Sequence, residues 1–354
     1  MTTLAPLPLG PLGDRPLASV LVSCYNYERF VGQAVRSALD QTYGAVEVVV
    51  VDDGSTDGSA ERVEAAFGGD GRVRLLRQPN GGQGAAMNAA VAAARGEVLC
   101  FLDADDTFRP DKLARVVRAL RDRPDAGYLV HGFTVVDGAG RTVATRTELP
   151  EPGWQAEAVL RAGGGVPASP PTSAMALRRA AADVLFPLDA RFRIATDALV
   201  QRLAPLVTEI AAVPDPLMRY RVHGANHYAE VAPSRASVER MVRVAEAVHD
   251  RQRAFLAERY GPETAARLGP PADDWGWLGL QAQAAFLGAD DARFGRAVRA
   301  LAAHPDSARH RQGAVARVAA AAPGPAGRAL WRLFYGEGVH KRALRAARRL
   351  ASAS

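Results

Sequence analysis

The 354-residue chain carries 44 Lys and Arg against 38 Asp and Glu, a net charge of +6, with 48% apolar and 23% charged residues. This exceeds one average domain and has ordinary globular composition, which excludes a disordered or fibrous chain. The basic excess is modest and gathers toward the C-terminus without interleaved aromatics, so no nucleic-acid partner is expected.

Residues 1–16 hold several prolines and glycines and no basic stretch followed by an apolar one, so they read as a flexible arm and not as a signal peptide. The run 18–23 (ASVLVS) is apolar and β-branched, as a buried strand requires. Helical spacing follows over 29–40, through Phe30, Val31, Ala34, Val35, Ala38 and Leu39. VEVVVV at 46–51 predicts a second buried strand that stops at Asp52-Asp53-Gly54-Ser55. A helix over 57–67, a strand over 73–77, an Ala-rich helix over 84–95 and a strand over 98–102 (VLCFL) continue the alternation. Strands separated by helices of roughly 10–15 residues indicate βαβ units and a mostly parallel sheet. After Arg109-Pro110 the pattern predicts a helix to Leu120, a strand near 127–136 and a turn at 137–140. The Pro-, Gly- and Ala-rich segment 150–171 reads as a loop with a short helix. A strand near 173–178, a helix over 196–206 and a strand near 209–213 follow. From about Ser234 the chain becomes helical segments broken at Gly261-Pro262, Gly269-Pro270-Pro271, His304-Pro305 and Pro323-Gly324-Pro325, with an αα-hairpin over 276–303. No apolar stretch approaches the ~18 residues of a spanning helix. The two cysteines, Cys24 and Cys100, sit in buried-strand runs, which fits free thiols in a reducing compartment.

Three polar clusters fall where strands of this sheet end, and ligands of open α/β sheets bind outside the carboxyl ends of strands. The first joins Ser23, Cys24, Tyr25 and Asn26 to Asp52, Asp53, Gly54, Ser55, Thr56 and Asp57. Its carboxylates can accept hydrogen bonds from a base or ribose; helix capping is the simpler reading for Ser55 and Asp57. The second, Asn80-Gly81-Gly82-Gln83-Gly84 through Asn88, lets backbone approach a ligand and leaves free amides at a helix start, although a glycine-rich loop alone is more often a turn. The third is Asp103-Ala104-Asp105-Asp106. Three carboxylates within four residues repel one another, and a hard divalent cation shared with substrate phosphates relieves that repulsion. An acidic helix start accounts for Asp106 but not for Asp103.

VSCYNYERF, VVVVDDGSTD, NGGQGAAMNAAVAAARGE and FLDADD, in this order and spacing, resemble the family 2 glycosyltransferases. The resemblance covers roughly 17–228 and implies an inverting enzyme of the GT-A fold, an α/β Rossmann-like, mostly parallel sheet flanked by helices, with a C-terminal helical appendage. It implies that Ser23, Tyr25, Asn26, Asp53, Gly82, Gln83, Asn88, Asp103 and Ala104 bind the nucleotide, with Asp53 on the base and Asp103 facing the ribose. Asp105, as second carboxylate of a DxD motif, and His223, in PDPLMRYRVHGANHY, would hold Mn²⁺ or Mg²⁺ on the diphosphate. Asp197, in FRIATDALVQRLA, takes the place of the catalytic base, with Thr196 where relatives carry Glu. Met87 stands where many relatives have Arg, which removes a phosphate contact. Arg219 and Arg221 face either phosphate or solvent.

The reaction so implied moves a sugar from a nucleoside diphosphate, UDP by default, to the hydroxyl of an unidentified acceptor. The domain organisation expected is a flexible arm at 1–16, a nucleotide-sugar half at 17–112, an acceptor half at 113–230 and a helical region at 231–354. A dehydrogenase would need G-x-G-x-x-G where Cys24-Tyr25-Asn26 stands. A non-catalytic sugar-nucleotide-binding scaffold acting through the helical region is the alternative from another class. Val339 to Leu350 is basic and amphipathic, suited to packing on its own domain or to an anionic membrane surface. The expected location is therefore the cytoplasm, with the inner membrane face as the peripheral alternative.

Overall fold

The computed structural model of the chain describes residues 3–166, 169–223, 234–308, 311–322 and 324–335. These form two compact units, one of 3–157 and 166–222, the other of 158–165 and 223 onward. His227 and the basic stretch 339–350 lie outside the described residues.

In the first unit the strands are β1 (Ala18–Cys24), β2 (Val46–Asp52), β3 (Val73–Arg77), β4 (Val98–Asp103), β5 (Thr107–Phe108), β6 (Ala126–Asp137), β7 (Thr142–Arg146), β8 (Met175–Arg178) and β9 (Glu209–Val222). The helices are α1 (Val31–Leu39), α2 (Ser59–Phe67), α3 (Gln83–Ala93), α4 (Lys112–Asp122), α5 (Ala156–Arg161), whose residues from 158 on belong to the other unit, α6 (Arg179–Leu185) and α7 (Thr196–Leu203). The strand order is β3-β2-β1-β4-β8-β6-β9-β5, with β7 paired to β6. The β1–β4 half is parallel, whereas β8 runs antiparallel to β4 and β6, and β5 antiparallel to β9. Every residue of β2 is buried, as expected for a parallel strand covered on both faces. α1 places Val31, Ala34, Val35, Ala38 and Leu39 on one buried stripe at helical spacing. The described residues before β1, expected to be loose, contain no helix or strand but are tied down. Leu7 N–H donates to the Val207 carbonyl at 2.7 Å, and the Pro16 carbonyl accepts from the Tyr43 hydroxyl at 2.6 Å. Cys24 and Cys100 are buried free thiols.

Register sets the site. Cys24 lies level with Asp52 across β1 and β2, and Ser23 with Asp103 across β1 and β4, so three strands end along one edge. β9 runs far past its expected end near 213, through Pro214 and Pro216. His131 pairs with Val213 and Gly132 with Pro216, so Pro214 and Asp215 stand out of the ladder as an irregularity. Proline donates no ladder bond, and a bulge accommodates it.

The second unit is helical: α8 (Arg235–Tyr260), α9 (Pro262–Ala266), α10 (Trp275–Leu287), α11 (Asp291–Ala303), α12 (Arg311–Ala321) and α13 (Gly324–Tyr335). The Ser234 side chain caps α8 by accepting the Ser237 N–H at 3.1 Å. The expected hairpin is α10 and α11, and its core gathers Leu278, Ala282, Phe294, Val298, Leu301 and Trp331. No helix among the described residues is long and apolar enough to cross a membrane.

Candidate active site

Asp53, directly after β2, is buried, and its carboxylate organises the glycine loop. Oδ1 accepts from Gln78 Nε2 at 2.7 Å and from the Gly81 N–H at 2.9 Å, and Oδ2 from the Gly82 N–H at 2.7 Å. A carboxylate offers about four acceptor directions, so one is left for a further donor such as a base. Tyr25, the residue after β1, is 36% exposed. Asn26 adopts φ +59°, its side-chain oxygen accepts from the Thr56 N–H at 2.8 Å, and its own N–H donates to Ser55 Oγ at 3.0 Å. Asn26 therefore shapes the loop that follows β2. Asn88 is placed differently from the other loop residues. Its amide donates to the Leu188 carbonyl at 2.9 Å and accepts the Leu188 N–H at 2.7 Å, so it anchors the segment before α7.

The glycine loop is locked to that same segment. Gln83 N–H donates to the Arg193 carbonyl at 2.8 Å, Arg193 Nη2 to Asn80 Oδ1 at 2.6 Å, and Thr196 Oγ1 to Gln83 Oε1 at 2.8 Å. A Cβ on Gly84 would come within 2.5 Å of the Phe192 carbonyl oxygen, so only glycine permits this approach. Ala195, one residue before α7, is held at φ +58°, a costly backbone for a residue with a Cβ.

The acidic cluster closes the end of β4. Asp103 is partly accessible; its N–H donates to Ser173 Oγ at 2.9 Å and its Oδ1 lies 3.5 Å from Ser23 Oγ. Burial, then the charges of Asp105 and Asp197, push its pKa up to about 7 against hydrogen bonds from Thr172 and Gln83. Asp197, in the first turn of α7, accepts the Ala198 N–H at 2.9 Å, and burial raises its pKa as well. Ala104 is fully buried and Asp105 is 6% exposed. Asp106, expected at a helix start, instead lies in the short link between β4 and β5. Its Oδ2 accepts from Ser173 Oγ at 2.6 Å and its Oδ1 from the Arg221 N–H at 2.8 Å, while burial and the charges of Asp105 and Asp103 raise its pKa strongly. Tyr27 and Tyr220 border the cluster, both with pKa values raised by burial and by these carboxylates. His223, the residue after β9, groups with the second unit.

Among the described residues no three His, Cys, Asp or Glu side chains form a metal cage. The donor chemistry still fits a hard cation. Asp103 and Asp105 each disfavour the other's charge, and a Mg²⁺-type site uses one or two carboxylates completed by water and substrate phosphates.

The sequence profile of Glycosyl transferase family 2 matches residues 19–185. An uncharacterized glycosyltransferase of Nostoc sp. is 35% identical over 224 residues, which cover 62% of this chain and 69% of that protein. The chain belongs to glycosyltransferase family 2. The hyaluronan synthase of Pasteurella multocida is 39% identical over 144 residues, 37% of this chain but 15% of that larger protein. The crystal structure of S. aureus TarS 1-349 superposes with a TM-score of 0.51 at 18% identity, covering 94% of this chain and 91% of that one. The same protein in complex with UDP-GlcNAc gives 0.50 at 18% identity, covering 94% and 92%. At such identity the likeness is one of fold, the mixed, helix-flanked sheet of GT-A enzymes with a helical C-terminal region.

The glycosyltransferase thus brings Ser23, Asp53, Gly82, Gln83, Asp103, Ala104, Asp105 and Asp197 around one sheet edge. Sequence reasoning missed Thr172 and Ser173, Lys112, and the two tyrosines, and left Arg221 between phosphate and solvent. Arg221 is 8% exposed, with Nε donating to the Asp105 carbonyl at 2.9 Å and Nη2 to Gln33 Oε1 at 3.2 Å. A Thr-Ser pair opening the strand near 173–178 was the available signal, since polar residues at a sheet end mark the crevice.

Proposed function

We propose that this glycosyltransferase transfers the sugar of a UDP-sugar to an acceptor hydroxyl by a single in-line displacement that inverts the anomeric centre. The observation that carries the reading is geometric: Thr196, beside Asp197 at the start of α7, donates to Gln83 Oε1 at 2.8 Å, which ties the base candidate's helix to the glycine loop, and the charge of Asp197 also raises the pKa of Asp103. This supports placing the base candidate near the carboxylates that end β4. TarS in complex with UDP-GlcNAc supports UDP as the donor nucleotide.

Asp53 and the amides of the Gly81–Gly82 loop, which it holds, bind the nucleoside; Asp103 faces the ribose. Asp105 would hold Mn²⁺ or Mg²⁺. When bound, the cation supplies positive charge to the departing diphosphate. Asp197 accepts the proton of the acceptor hydroxyl as the acceptor oxygen–C1 bond forms. The C1–O bond to the β-phosphate breaks, and its electron pair leaves with UDP. Burial of Asp197 raises its pKa and makes it a stronger base than an exposed carboxylate.

A panel of nucleoside-diphosphate sugars with Mn²⁺, read by nucleotide release and by NMR of the anomeric product, tests the reading. UDP release with inverted product is expected; a retained configuration or strict preference for another base overturns that part.

A further inference from the structure

Three elements converge behind the acidic cluster on a side chain that no substrate reaches. Ser173 is fully buried just before β8. Its hydroxyl accepts the Asp103 N–H at 2.9 Å and donates to Asp106 Oδ2 at 2.6 Å, while its carbonyl accepts from Lys112 Nζ at 2.7 Å. Lys112 is itself fully buried at the start of α4, its ammonium 3.3 Å from the centre of the Phe108 ring. On the other side, Asp106 Oδ1 accepts the backbone N–H of Arg221, and the Arg221 side chain reaches past it to the carbonyl of Asp105 and to Gln33 on α1. Both oxygens of Asp106 are engaged inside the protein, so it is an internal strut and not a third ligand for a cation.

We propose that Ser173 and Arg221 are positioning residues, which directly and with Asp106 as a strut between them fix the backbone of Asp103 and Asp105 in the arrangement that receives a cation–diphosphate complex. The inference rests on the proposed role of Asp105. The physical argument is pre-organisation. Asp103 ends β4 and Asp105 lies in the short link to β5, and two carboxylates that repel each other turn apart unless their backbone is held. Ser173 grips the link at the Asp103 N–H and Arg221 grips it at the Asp105 carbonyl. Lys112 fixes the carbonyl of Ser173, so its hydroxyl faces the link. Such outer partners of metal-binding groups typically contribute about 10–100-fold in affinity or activity.

The test uses the full chain with Mn²⁺ and UDP as probes. Free Mn²⁺ is followed by electron paramagnetic resonance during titration with and without UDP, and thermal unfolding is recorded in parallel. Ser173→Ala removes one hydroxyl; Arg221→Lys keeps a charge and the backbone N–H to Asp106 but removes the planar fork. The proposal expects each to weaken UDP-dependent Mn²⁺ binding by about 10-fold or more, beyond any change in unfolding temperature. Should Ser173→Ala not fold, Arg221→Lys and the charge-free Lys112→Met carry the same expectation. Wild-type Mn²⁺ binding in folded variants overturns the proposal. Asp105→Ala separates the two levels. If it leaves UDP-dependent Mn²⁺ binding intact, the functional reading fails; if it abolishes binding while Ser173→Ala and Arg221→Lys do not, only the positioning role fails.

Discussion

Gly82 sits at φ +87°, and an added Cβ would lie 2.6 Å from the carbonyl oxygen of Arg193. Alanine there meets both a backbone penalty of about 1–2 kcal/mol and a clash with backbone that has no flexible end to swing away. Gly82→Ala should therefore loosen the loop from the segment before α7, raising the donor KM about 10-fold or more in steady-state assays. Gly69→Ala, with nothing within 4 Å of the added carbon, should behave as wild type. Equal kinetics for the two variants would contradict this account of the loop. At this scale the places of Asp53, Asp103, Asp105 and Asp197 in the fold were legible, because each lies at or just past the end of a buried strand or opens an apolar helix. The working partners of Asn88 and Asp106 were not, since Leu188, Ser173 and Arg221 lie 100, 67 and 115 residues away along the chain. Tertiary contact, not local pattern, decides what a buried carboxylate or amide does.

β2 illustrates what an element conceals. Its VEVVVV run was readable as a buried strand, yet Glu47 is 2% exposed within it. Ser19 Oγ donates to its Oε1 at 2.6 Å, Arg95 donates through its backbone N–H at 2.6 Å and its Nε at 2.8 Å, and Arg74 donates at 3.1 Å. Burial alone would raise the Glu47 pKa; these donors outweigh it and hold the pKa low. A depressed carboxylate pKa gives stability that is complete at neutral pH and is lost as pH falls through the folded-state value. Because Arg95 is 62% and Arg74 37% exposed, solvent screens part of the pairing, and Glu47→Gln should cost about 2 kcal/mol at pH 7. In urea unfolding that difference should shrink steadily toward pH 3; a constant difference would contradict it. The elements the sequence did not disclose are short or exposed. β5 has two residues, β7 is an edge strand of mostly exposed TVATR, and α6 has seven residues directly continuing β8. None is long enough for periodicity to rise above background.

At the scale of the whole molecule, the family match ends at residue 185, whereas the sheet continues through β9 and the helical unit extends to Tyr335. The helical unit was legible in outline from its Gly-Pro breaks. Its contribution was not, because no cluster of chemically committed side chains marks it. The proposed nucleotide–cation site gives a global signature. A ligand held only by the folded state at about 100 times its Kd adds about 2.7 kcal/mol, which corresponds to about 5–10 °C in Tm for a unit of this size. Mn²⁺ with UDP should produce such a shift in the wild type and none in Asp105→Ala.

The most direct single measurement is turnover of Asp197→Asn on its donor and acceptor, with donor affinity measured on the same preparation. The isosteric amide keeps the contact with the Ala198 N–H and removes the proton acceptor. The account predicts kcat lower by about 10²–10⁴-fold with donor Kd unchanged within about twofold. A variant that turned over at near the wild-type rate would contradict the assignment of Asp197 as the base.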